Sequence, residues 1–179
     1  YGGADVGAYL VEHAGVDEIH ITGSDKTHDM MVWGPPGAER EARKAKKEPL
    51  LKKEITSELG NISPVSVVPG PYIDAELAVQ GESITAAIAN NASFNCNSAK
   101  LLVAPKGWDK GDKLKAAIAD ALAKVPVRQA YYPGAEQRWN DLVQSHNKVK
   151  RIGEAIPGTL PWAILEDIDP AGTDKVFSM

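Results

Sequence analysis

Short strand-like runs alternate with helical patterns along the chain, and Gly or Pro separates most of them. This order constrains the fold more than any other feature, because strands alternating with helices favour a mainly parallel sheet with helices on its faces. A short helical pattern over residues 6–11 comes first, and residues 16–21 then alternate as a half-buried strand would. Thr22-Gly23-Ser24 ends that strand, and Asp25–Trp33 reads as a helix that starts on the turn and stops at Gly34-Pro35-Pro36-Gly37. A charged helix over residues 38–47 follows, then short strands over 55–58 and 65–68, separated by Gly60-Asn61. Ile73, Leu77, Ile84 and Ile88 share one face of a long helix, and small residues from Ala86 to Ala92 allow close packing near Cys96. Leu101-Leu102-Val103 reads as a buried strand, and residues 110–124 as an amphipathic helix carrying Leu114, Ile118 and Leu122. A helix over Ala135–Ser145 and a strand over Trp162–Leu165 close the pattern.

Composition agrees with a protein that buries a core. Hydrophobic residues make up 43% of the 179 and charged residues 25%, outside the range of disordered chains. The net charge of -4 gives no nucleic-acid footprint, and the densest basic stretch, residues 40–53, is flanked and interleaved by Glu39, Glu41 and Glu48, as on a solvated helix face. No apolar run approaches the roughly 20 residues of a membrane span. The single cysteine excludes an internal disulfide, and no His or carboxylate spacing points to a metal site. A reduced, cytoplasmic setting is the expectation. The opening Tyr1-Gly2-Gly3, without an initiator Met or signal-like segment, reads as a chain that has lost residues upstream.

Three places hold side chains suited to chemistry. A cysteine that attacks a carbonyl must be a thiolate, which calls for local positive potential, such as a helix N-terminus, and a group to manage protons. Cys96 lies in the small, polar run Asn91-Ala92-Ser93-Phe94-Asn95-Cys96-Asn97-Ser98, between a helix and a strand. Taken alone, a lone Cys is more often a buried core thiol. Glu58 ends an apolar strand just before Gly60, where a side chain can project into a cleft, although an ordinary surface Glu occupies such places too. Gly23-Ser24 joins a strand to a helix, a geometry that lets backbone N–H groups meet a phosphate, and equally a simple turn with Ser24 as N-cap.

Taken in order, these pieces resemble the aldehyde dehydrogenase superfamily over nearly the whole chain. Residues 16–24 resemble the family's strand and Phe-Thr-Gly-Ser turn. Glu58-Leu59-Gly60-Asn61-Ile62-Ser63-Pro64 resembles the Glu-Leu-Gly-Gly-Lys-x-Pro motif, and Asn91 to Cys96 resembles Asn-x-Gly-Gln-x-Cys. Cys96 stands 38 residues after Glu58, a separation close to the family's. The chain departs from the pattern at His28, at Asn61, and at Ser93-Phe94, which replaces Gly-Gln. The segment between Ser24 and Glu58 is also longer, by about the charged helix.

The resemblance implies an aldehyde dehydrogenase-like catalytic domain over residues 58–179, preceded over 1–57 by the tail of a Rossmann-like dinucleotide-binding domain. It implies Cys96 as nucleophile, Glu58 as general base, Gly23, Ser24 and Leu59 as cofactor contacts, and Asn91 and Asn95 as oxyanion or pocket residues. NAD or NADP is the implied cofactor and a small-molecule aldehyde the substrate. The complete protein is expected to be a homo-oligomer, and these 179 residues alone to be inactive. An earlier cofactor-binding portion is expected upstream, and Val176-Phe177-Ser178-Met179 falls about where the family places Glu-x-Phe-Gly-Pro. Two alternatives stay open: an acyl-transferring or reductive relative using the same Cys, and a non-catalytic binding or structural descendant.

Overall fold

A computed structural model describes residues 2–171 and 174–177. Of the residues named above, Tyr1, Ser178 and Met179 lie outside the described residues. The chain divides into two compact units, Tyr1–Asn61 and Ile62–Met179.

The first unit contains α1 (Ala4–Glu12), β1 (Glu18–Gly23), α2 (Asp25–Trp33), α3 (Ala38–Lys46) and β2 (Glu54–Leu59). β1 and β2 pair in parallel from Glu18 opposite Glu54 to Gly23 opposite Leu59, as strands joined through a helical crossover do. Polar contacts hold the helices of this unit. The Asp29 carboxylate on α2 accepts from Arg40 and, at 2.6 Å, from Lys44 of α3. The Lys44 hydrogen bond is the main cause that keeps Asp29 below the ordinary carboxylate range. Arg43 donates to the Trp33 carbonyl at 3.1 Å, satisfying the end of α2. The Lys53 ammonium donates to the Val11 and His13 carbonyls, both at 2.7 Å, and so caps α1.

The second unit contains β3 (Ser63–Ser66), α4 (Asp74–Ala89), β4 (Ala99–Val103), α5 (Gly111–Lys124), α6 (Ala135–Ser145), β5 (Val149–Ile152) and β6 (Trp162–Leu165). β3 and β4 pair in parallel, while β5 and β6 are antiparallel. Among the described residues two of the three strand pairs are thus parallel, as the element order predicts. The core joins Leu77 and Ile84 of α4 to Leu114, Ile118 and Leu122 of α5, with Ile152 of β5 against them. Close approach of the two helices depends on Gly81: a Cβ there would stand 2.8 Å from the backbone carbon of Ala117. The buried Thr85 hydroxyl donates to the Ile118 carbonyl at 3.4 Å, so α4 places no unpaired polar group in this contact.

Three expectations change. Ile73 does not share the apolar face of α4: it precedes the helix, is 63% exposed, and its N–H donates to Glu76 at 2.9 Å. β4 is not buried throughout, because a strand in a two-stranded pair alternates between a covered and an open face. Ala99 is buried, but Leu102 is 38% exposed and Val103, at the strand end, 55%. β5 is a strand that the sequence pattern does not announce. No helix among the described residues is long and apolar enough to cross a membrane.

Candidate functional site

In the first unit, register does the assembling. Because β1 and β2 run parallel, they end on the same side, with Thr22 opposite Glu58 and Gly23 opposite Leu59. The Gly60 N–H donates to the Gly23 carbonyl at 2.9 Å and carries the pairing one step beyond the strands. The carboxyl end of parallel strands is where open α/β sheets bind ligands, and here it gathers Gly23, Ser24, Glu58 and Leu59. Glu58 is exposed, and so is the Gly23-Ser24 turn. A side chain at Gly23 would meet only Ile21, at 4.0 Å, so the backbone of this turn is open to approach. Ser24 is the N-cap of α2, its hydroxyl accepting from the Lys26 N–H at 3.1 Å. Asp25 accepts from the same N–H at 2.8 Å and places its own negative charge at the helix start, which opposes an incoming anion. Beside the turn, His20 bridges Thr56 at 2.8 Å and Thr22 at 3.2 Å, a side-chain brace across the two strands. His28 lies on α2 with its ring 3.7 Å from the Asp29 carboxylate.

In the second unit, side chains do the assembling. After α4 the chain passes through Asn91, Ala92 and Ser93 with φ of 48°, 54° and 64°. This is a left-handed turn of three non-glycine residues, a conformation that costs about 1–2 kcal/mol for each. The Phe94 N–H donates to the Asn91 carbonyl at 3.1 Å and closes the turn, and the Asn91 side chain donates to that of Asn95 at 2.9 Å. Cys96 then sits in a second turn, closed by the Ser98 N–H on the Asn95 carbonyl at 3.1 Å, and its thiol is exposed. The structure thus brings together Asn91, Asn95 and Cys96. It does not put Cys96 at a helix N-terminus, because β4 follows the turn.

Several residues that the sequence reading did not single out hold this loop. Ser63 on β3 donates to the Cys96 carbonyl at 2.9 Å. Ser98, 1% exposed, donates to the Asn90 carbonyl at 3.1 Å and anchors the start of the left-handed turn to the end of the Cys96 turn. The Lys100 ammonium donates to the carbonyls of Asn95 at 3.1 Å and Ser98 at 3.0 Å, so a cation brackets the thiol's turn. Burial pushes the Lys100 pKa below its ordinary value, and the negative charge of a Cys96 thiolate opposes that shift. The Phe94 ring lies against Tyr131 and Tyr132, each with ring centres 4.8 Å away. Each hydrogen bond contributes about 0.5–1.5 kcal/mol and each aromatic pair about as much, comparable with the cost of the left-handed turn. Ser63 and Lys100 are the two that the sequence could have offered, Ser63 being a polar residue within the Glu58 motif and Lys100 the first cation after Cys96. The tyrosines, 35 and 36 residues beyond Cys96, carry no local signal.

No family model matches the chain, and no curated protein matches it. Solved structures do. The chain is similar to the NADP-dependent glyceraldehyde-3-phosphate dehydrogenase from Bacillus halodurans C-125 complexed with NADP, at 18% identity and a TM-score of 0.70, over 98% of this chain and 36% of that one. It is similar to the NAD-dependent aldehyde dehydrogenase from Sinorhizobium meliloti at 19% identity and a TM-score of 0.63, over 94% of this chain and 34% of that one. It is also similar to an aldehyde dehydrogenase from Bartonella henselae at 17% identity and a TM-score of 0.63, over 98% and 38% respectively. The chain spans little more than a third of the length of each, and the fold it shares with them is that part of the aldehyde dehydrogenase fold.

Proposed function

We propose that this chain is a divergent member of the aldehyde dehydrogenase superfamily and forms part of a longer NAD- or NADP-dependent enzyme that oxidises an aldehyde to a carboxylate. The observation that carries this reading is a coincidence of two independent facts. The motifs bearing Glu58 and Cys96 follow the family's order and spacing, and the chain has the fold of solved aldehyde dehydrogenases over nearly its whole length.

In this reading the Cys96 sulfur bonds to the aldehyde carbon, and the Cys96 N–H donates to the oxyanion that forms. The bracketing Lys100 ammonium supplies the positive potential that a thiolate needs. NAD or NADP, when bound, would supply the hydride acceptor, and Cys96 would then hold the acyl group as a thioester. The backbone of the open Gly23-Ser24 turn, with Leu59 opposite Gly23, would hold the diphosphate of such a cofactor, although the Asp25 carboxylate would limit how much α2 contributes. Glu58 takes a proton from the water that attacks the thioester carbon, which releases the carboxylate and restores the thiolate. Asn91 and Asn95, bonded to one another beside Cys96, would contribute to the oxyanion or substrate contacts. The complete enzyme is a homo-oligomer.

Kinetics of a Glu58→Gln variant of the complete enzyme test the base. Thioester hydrolysis should slow more than hydride transfer, giving a burst of reduced cofactor and then a steady state about 10²–10⁴-fold slower than wild type, the range of general-base catalysis. Unchanged steady-state turnover would remove Glu58 from the mechanism.

A further inference from the structure

We infer that Phe94, Tyr131 and Tyr132 form an aromatic clasp that holds the Cys96 loop in its left-handed conformation, which makes both tyrosines positioning residues for the reaction proposed above, a role that rests on that reading. The backbone itself poses the question. Asn tolerates the left-handed region because its short amide bonds locally, but Ala92 has no side-chain group to do so, and Ser93 makes the same turn at φ 64°. Something outside the turn must select it. The Phe94 ring follows directly and meets Tyr131 at 4.8 Å and 60°, and Tyr132 at 4.8 Å and 47°, separations and tilts that favour attraction between rings. The tyrosines support one another at 5.0 Å and 36°.

The other side of the clasp is well anchored. The Ala130 N–H donates to the Gly158 carbonyl at 3.1 Å, Gln129 bridges to Thr159, and the Ala135 N–H donates to the Tyr132 carbonyl at 3.1 Å. The tyrosines therefore stand on a segment tied down on both sides. Were residues 91–93 to relax to negative φ, the chain would leave them in another direction and the Phe94 ring would leave the cluster. Left-handed turn and ring contact thus require each other, and Cys96, two residues after Phe94, moves with them. The tyrosines are about half exposed, at 52% and 51%, so they act here through ring contact more than as core. Neither hydroxyl has a hydrogen-bond partner among the described residues.

Backbone amide exchange on the 179-residue chain tests the clasp without recourse to catalysis. In a Tyr131→Ala/Tyr132→Ala double variant, exchange across residues 90–98 should rise about tenfold or more while α4 and α5 keep wild-type protection, which also shows that the unit is folded. Tyr131→Phe/Tyr132→Phe keeps the rings and should restore wild-type exchange. Phe94→Leu, which removes the ring from the other side, should reproduce the loss if the double variant does not fold. In the complete enzyme the Ala pair should lower kcat about tenfold to a hundredfold with KM nearly unchanged, the signature of a misplaced nucleophile, and the Phe pair should recover it. Unchanged exchange in residues 90–98 would overturn the clasp, and raised exchange with unchanged kcat would overturn its positioning role. If the wild-type complete enzyme oxidises no aldehyde, the proposed function and the positioning role built on it fall together. The exchange data then decide separately whether the clasp exists.

Discussion

Glu58 and Cys96 are held in place by different means. At Glu58 the position comes from backbone pairing: the parallel register sets Glu58 against Thr22 and Leu59 against Gly23, whatever side chains those positions carry. At Cys96 the backbone runs against its own preference, through three left-handed residues, and side chains restrain it. Backbone pairing tolerates substitution, whereas a loop held by side chains fails when one of them is lost. The departures from the family pattern fit this contrast. Beside Asn61 the Gly60 N–H continues the strand pairing, while Ser93-Phe94 before Cys96 brings a left-handed residue and an aromatic contact.

The largest predicted difference lies between Ser98→Ala and Thr22→Ala. Ser98 is almost fully buried and its hydroxyl serves the Asn90 carbonyl, so its loss leaves that acceptor without this donor and should cost about 1–3 kcal/mol in chemical denaturation. Thr22 is exposed and its hydroxyl bonds the His20 ring, so its replacement should change stability by no more than about 0.5 kcal/mol. Equal losses in the two variants would break the contrast.

A smaller effect of opposite sign is expected from Ser93→Gly. Glycine adopts φ 64° without the Cβ penalty but loses more chain entropy on folding. The two nearly cancel, leaving the variant neutral or stabilised by up to about 1 kcal/mol. Clear destabilisation in a denaturation curve would show that residues 91–93 are not strained.

Titration separates the units further, with smaller effects. His146 faces acceptors through both ring nitrogens, the Leu142 carbonyl at 2.6 Å and the Asp174 carboxylate at 2.9 Å, and both raise its pKa above the ordinary 6.5, the carbonyl first. Its contribution is therefore complete below about pH 6.5 and is lost as pH rises through the higher folded value. Asp29 in the first unit has the opposite sign: depressed below the ordinary 3.8, its contribution is complete above that value and is lost as pH falls through the folded one. Amide exchange against pH should show the end of α6 loosening toward alkaline pH and α2 and α3 loosening toward acid. The reverse pattern would contradict both assignments.

Much of the architecture was legible because its signals are local. The bounds of α2, α6 and β6 agree with the pattern of caps, Gly-Pro breaks and apolar spacing, and Leu114, Ile118 and Leu122 are buried where the helical period puts them. β5 escaped because Val149-Lys150-Arg151-Ile152 is short and has no period-two alternation, and it becomes a strand only by pairing with β6. Leu102 and Val103 misled because apolar character marks a strand without saying how many of its faces are covered. At the candidate sites, Gly23, Ser24, Glu58 and Leu59 come together through register, which follows from two strands and a helical crossover. The left-handed turn at Asn91–Ser93 was not legible, since none of those residues is the glycine that normally marks such a turn. Its aromatic support lies beyond an intervening strand and helix, at a distance that local patterns do not encode.

The assignment of Cys96 as nucleophile is open to a direct test, in which the acyl group is trapped on it. The complete enzyme carrying Glu58→Gln is incubated with an aldehyde and NAD or NADP, quenched in acid, and digested for mass spectrometry. On this assignment the peptide containing Cys96 should gain the mass of the acyl group, and a Cys96→Ala variant should show neither the adduct nor reduction of the cofactor. Reduced cofactor from the Cys96→Ala variant at a rate near wild type, or an acyl group carried by another residue, would contradict it.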